Sequence, residues 1–73
     1  MQKENILIQF GKNVQKIRLK KKLTLEEVSL KTGINIGYLK KIEKGEAKRA
    51  STKHLFLFAE AFQAKPSSFF KNI

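Results

Sequence analysis

The stretch TLEEVSLKTGINIGYLKKIEKG, residues 24–45, decides the fold. Thr24 followed three residues later by Glu27 is a capping box. Its hydroxyl accepts from the Glu27 amide while the Glu27 carboxylate reaches back to the Thr24 amide. A helix therefore begins here, carries Val28 inward and runs to Thr32, where Gly33 supplies the left-handed backbone that ends helices. Asn35 caps the next helix. Leu39 and Ile42 lie three apart on one face of it, apolar Ile34 precedes it, and Gly45 closes it.

Working outward, Ile6, Phe10, Val14 and Ile17 recur at steps of four, four and three, which predicts a helix from about Asn5 to Lys21. Lys20, Lys21 and Lys22 suit its negative end. Downstream, Glu46 to Ala50 is a polar, basic loop. Ser51 or Thr52 can cap a fourth helix with Leu55, Phe58, Ala59 and Phe62 inward and Phe56 at its edge. Pro66 stops that helix, and Ser67 can cap a short final turn carrying Phe69 and Phe70. No strand, repeat or linker pattern is visible. The expected fold is all-α: five short helices in one domain, 1–73, around Phe10, Val14, Ile17, Val28, Ile34, Leu39, Ile42, Leu55, Phe58 and Phe62. Two helices of about eight to ten residues joined by a short glycine turn are the sequence form of a helix-turn-helix.

Sixteen Lys and Arg against six Asp and Glu give a formal charge of +10, which favours a polyanionic partner, nucleic acid or an anionic membrane surface. The excess is even, eight basic and three acidic residues in each of 1–35 and 36–73, so the folded surface itself must present it. The chain has no cysteine, and the lone His54 cannot anchor a metal without several carboxylates, so no metal or cofactor is expected. Met1 to Asn5 lack the basic-then-apolar pattern of a signal peptide, and every apolar stretch is soon interrupted, so a reducing cytoplasm and no membrane are expected. An enzyme is not expected: there is no nucleophile with a histidine partner, no phosphate-cradling glycine loop and no carboxylate pair that capping does not explain.

The order of these features resembles the Cro and phage-repressor (Xre-like) helix-turn-helix family over roughly residues 10 to 70. The resemblance is densest in Leu23-Thr24-Leu25-Glu26-Glu27-Val28-Ser29, Gly33-Ile34-Asn35 and Tyr38-Leu39-Lys40-Lys41-Ile42-Glu43-Lys44-Gly45, with Ala59 and Ala61 where small residues are usual in the fourth helix. It implies a lambda-repressor-like DNA-binding domain acting as a repressor and a homodimer, with the helix from about 35 to 44 in the major groove. Base contacts then fall on Asn35, Ile36, Gly37, Lys40 and Lys41. Phosphate contacts fall on Thr24, Leu25, Lys44, Lys48, Arg49, Ser51 and Lys53. Leu25 stands where the family often has a glutamine on phosphate, which leaves the amides at that helix start. The resemblance also implies a buried pair between Arg18 and Glu43, and a dimer interface at Phe69, Phe70 and Ile73, with core packing an equal alternative for Phe69 and a slightly weaker one for Phe70. Tyr38 can stack on the backbone or pack internally.

Two further readings stay open at this point. Leu25, Leu30 and Ile36, if exposed, would suit an adaptor that holds a protein partner, as an antitoxin holds its toxin. The charge and Gly37 would suit a nonspecific nucleic-acid binder with a steep salt slope.

Overall fold

The computed structural model describes residues 3–50 and 52–73, with side chains from Ile6 onward; Met1, Gln2 and Ser51, the last named above as a cap and a phosphate contact, lie outside the described residues. The apolar steps of the first segment become one face of α1 (Lys3–Lys20), on which Phe10 and Val14 are buried and Ile17 is half-buried against the same core. Ile6, expected on that face, lies at its edge and is 38% exposed. The helix ends without a glycine. Lys22 takes the left-handed conformation at φ 58°, its amide donates to the Leu19 carbonyl, and the Leu23 amide donates to that of Arg18. These bonds occupy carbonyls that a helix end otherwise leaves open.

Three more helices follow, α2 (Leu25–Thr32), α3 (Ile36–Lys44) and α4 (Thr52–Phe62), and then a 3-10 turn, Pro66–Phe70. The expected five helices are thus four α-helices and one tighter turn. Ser67 does not cap that turn but lies inside it; the cap position is Lys65, with no side-chain bond. The fixed φ of proline suits a first helical position, so the turn starts at Pro66 itself.

The core is aromatic at its centre. Phe58, Phe62 and Phe69 are almost completely buried, with the Phe69 ring 6.2 Å from Phe58, 6.0 Å from Phe62 and 6.4 Å from Phe10. Phe69 therefore belongs to the core and does not face a partner. In a 3-10 turn adjacent side chains diverge by about 120°, so Phe69 points in while Phe70 is left half-exposed. Ala47, from the loop after α3, is also buried.

Two contacts set α1 against the rest. At Gly11 it crosses α3 so closely that an added Cβ would overlap the Ile42 carbonyl oxygen and lie 2.8 Å from that of Glu43. At buried Asn13 the side-chain amide donates to the carbonyls of Phe69 (2.8 Å) and Lys71 (2.9 Å), while its oxygen accepts from Gln9 (3.0 Å). The C-terminal segment is thereby tied to the first helix. Among the described residues no buried side-chain nitrogen or oxygen lacks a partner.

Candidate nucleic-acid interface

The face is built from the cap upward. Thr24 holds extended backbone, its hydroxyl accepts from the Glu27 amide at 3.1 Å, and the Glu27 carboxylate accepts from the Thr24 amide at 2.8 Å. Those bonds, the backbone one foremost, hold the Glu27 carboxyl below its ordinary pKa of 4.5. A group whose folded pKa is depressed contributes stability that is complete above the unfolded value and lost as pH falls through the folded one. Glu27→Ala should therefore melt lower than the wild type at neutral pH, and the gap should narrow below about pH 4. Thermal melts at a series of pH values check this, and a gap constant with pH would contradict it.

The turn between α2 and α3 is held by side chains. Gly33 is left-handed at φ 78° and its amide donates to the Ser29 carbonyl. The Ser29 hydroxyl donates to the Ile34 carbonyl at 2.6 Å, the Thr32 hydroxyl donates to that of Val28 at 2.7 Å, and the Ile34 amide donates to the Thr32 oxygen at 3.1 Å. With Ile34 buried beneath it, the angle between the two helices is fixed by contacts rather than by a flexible connection.

α3 starts at Asn35, whose side-chain oxygen accepts from the Gly37 amide at 2.7 Å, and Gly45 closes it in the left-handed conformation. Leu39 and Ile42 are buried. At 3.6 residues per turn, Gly37, Lys40, Lys41 and Lys44 then share the opposite side, and all four are exposed. Ile36 sits at the rim, half-buried. Asn35, Ile36, Gly37, Lys40 and Lys41, named from the sequence as base contacts, thus lie along the first turns of one helix and its outward side. Gly37 lies near the centre of that side. A Cβ there would meet only the Asn35 oxygen, at 3.0 Å, so the backbone at this point is bare.

Beyond α3, Lys48 and Arg49 are exposed at the tip of a loop anchored by buried Ala47, and Thr52 and Lys53 are exposed in the first turn of α4. Thr24 is exposed, but Leu25 turns its half-buried side chain to the core, which leaves only its amide, in the first turn of α2, to offer an anion. Tyr38 is half-buried against the core, its ring 5.4 Å from that of His54 on α4, so it packs internally.

What holds α3 in place is Arg18. Its Nε donates to one Glu43 oxygen at 2.7 Å and its Nη2 to the other at 3.2 Å, while Nη1 donates to the Leu23 carbonyl at 2.8 Å. The two side chains are only 11% and 7% exposed. One guanidinium thus joins α1, the α1–α2 connection and α3, and the planar fork fixes distance and orientation together. On another side of the molecule, exposed Phe70 and Ile73 rim an apolar groove of about 240 Å³ whose walls include Ile6, Leu7, Phe10 and Leu55.

Among the described residues no helix is long and apolar enough to cross a membrane. A helix-turn-helix family model matches residues 14–69. The restriction-modification controller protein C.AhdI from Aeromonas hydrophila, known from a high-resolution crystal structure, is similar at 25% identity and a TM-score of 0.82, covering 88% of this chain and 96% of that one. No curated protein matches the chain. The matched segment takes in the capped α2, the glycine turn, α3 and the Arg18–Glu43 fork together, and the chain belongs to the Cro and phage-repressor (Xre-like) helix-turn-helix family, as a DNA-binding transcriptional regulator rather than an enzyme.

Proposed function

We propose that the protein is a sequence-selective repressor that binds a near-palindromic operator as a homodimer and inserts α3 into the major groove. The observation that carries this reading is the outward side of α3, where exposed Gly37, Lys40, Lys41 and Lys44 stand opposite buried Leu39 and Ile42 on a helix clamped by Arg18. Lys41, with Lys40 and Asn35, suits hydrogen bonding to base edges, and Ile36 suits a thymine methyl. Lys44, Lys48, Arg49 and Lys53, with the Thr24 hydroxyl and the Leu25 amide, suit phosphates and so position the protein without reading sequence.

The dimer axis is proposed at the apolar groove, with Phe70 and Ile73 contributing from each copy. Half-sites would then lie about one helical turn apart. The Aeromonas hydrophila protein is a restriction-modification controller, and that role supports transcriptional control as the purpose of DNA binding here. The adaptor reading retains less support, since Leu25 and Ile36 are half-buried and Leu30 alone, 87% exposed, stands free of the core.

Selection of bound duplexes from a random pool tests both halves of the proposal: a palindrome should emerge, and recovery of unselected sequence or of an asymmetric site would overturn specificity or symmetry. Lys41→Ala should relax preference at particular base pairs, a discrimination of about 1–3 kcal/mol. Lys48→Ala should weaken every sequence alike and lower the salt slope by roughly one. Indistinguishable effects of the two changes in a binding titration would refute this division of roles.

A further inference from the structure

A second basic groove runs along α1, away from the helix-turn-helix. It has a volume of about 530 Å³ and is walled by α1, the end of α4 and the C-terminal segment, with no residue from α2 or α3. Lys12, Lys16, Lys20, Lys21 and Lys71 line it; no carboxylate and no aromatic side chain does. On α1, Lys12, Lys16 and Lys20 stand roughly 100–180° round the helix from Gly11, the residue against which α3 packs. The Asn13 bond to the Lys71 carbonyl, at 2.9 Å, brings the fifth lysine to the opposite wall.

A lysine at a helix C-terminus is favoured by the helix dipole, which accounts for Lys20 and Lys21 but not for Lys12 and Lys16, two and one turns further in. Like charges at a spacing of four residues repel along a helix, and Lys12, Lys16 and Lys20 form two such pairs. A bound polyanion would remove that repulsion. Protein interfaces avoid lysine at their centres and rely on aromatic or arginine anchors, and this groove has lysine and lacks both. Point charges with amides between them, here Gln9, Gln63 and Asn72, are what a phosphodiester backbone takes.

We infer that this groove binds the backbone of a second DNA duplex, without sequence preference, so that the protein joins two DNA segments. The inference rests on α3 holding the first duplex, and the test keeps the two readings apart. Full-length protein is loaded, in about 50 mM salt, on beads carrying a random-sequence duplex of about 20 base pairs, and capture of a second, fluorescent random duplex is measured. The wild type should capture it. The triple variant Lys12→Gln/Lys16→Gln/Lys20→Gln, changed only at exposed positions, should lose capture by about tenfold or more while its own retention on the beads stays within about twofold. Lys41→Ala/Lys48→Ala should instead weaken retention; unchanged retention there would count against α3 as the first site and leave the groove result standing. Capture by the triple variant at the wild-type level, or equal loss of retention and capture, would overturn the inference. So would a polyglutamate peptide that blocks capture better than an equal charge of unlabelled duplex, since it would mark the groove as a seat for an acidic protein.

Discussion

Glu43→Ala should destabilise the protein by about 3–5 kcal/mol, because it leaves the Arg18 guanidinium buried without its counter-charge. A domain of 73 residues has roughly 4–11 kcal/mol in total, so the variant should be partly unfolded at 37 °C. Urea denaturation gives the number, and a loss below about 1 kcal/mol would mean that the pair behaves like an exposed one. The fork's effect differs from its net worth, since two charges had to leave water to form it. Arg18→Leu/Glu43→Leu should therefore recover part of the loss. Recovery should be incomplete because the Leu23 carbonyl also loses the Arg18 donor. DNA binding by the folded fraction should still fall, since nothing else joins α1 to α3 through paired, oriented bonds among the described side-chain contacts.

Gly11→Ala should also destabilise the protein, although alanine is the better helix former by about 1 kcal/mol. The atoms in the way of its Cβ are the carbonyl oxygens of Ile42 and Glu43, which belong to the backbone of α3 and cannot swing aside. The two helices must separate, and overpacking of this kind costs about 1–3 kcal/mol or more. Because the clash falls at Glu43, separation also lengthens the Arg18 fork, so DNA affinity should fall further than the stability loss alone explains. Wild-type denaturation midpoints and wild-type affinity for Gly11→Ala would refute the close approach.

Those two residues also mark where sequence reading succeeds and where it stops. The caps at Thr24 and Asn35 and the turns at Gly33 and Gly45 were legible because each is a local event, closed by bonds within about one turn of helix. The Arg18–Glu43 fork came from resemblance, since nothing in 25 residues of separation announces it. Gly11 passes for an ordinary weak helical residue until α3 lies against it. Asn13 finds its acceptors 56 and 58 residues away. Lys22 and Gln63 both take left-handed φ, 58° and 52°, at helix ends where no glycine advertises the turn. Phe69 and Phe70 are chemically identical neighbours, and only the packing of the final turn against α1 and α4 decides which one goes inward. The lysines of the second groove were invisible as a group because the charge is spread evenly along the chain and gathers only in space.

The cap on α3 has a consequence for the operator. The Asn35 oxygen is committed to the Gly37 amide, so toward DNA this side chain offers mainly its two N–H groups. Lysine has no acceptor at all, and Ile36 and Gly37 have no polar side chain. Docked as proposed, the polar vocabulary of α3 is made of donors. In the major groove such a surface can address the N7 and O6 of guanine, the N7 of adenine and the O4 of thymine, while the cytosine amine finds no counterpart. The operator positions that matter most should therefore present acceptors to α3, guanine above all, with a thymine methyl suited to Ile36. Where cytosine stands on the strand that α3 faces, its amine finds no acceptor and the pair can be addressed only through the guanine opposite.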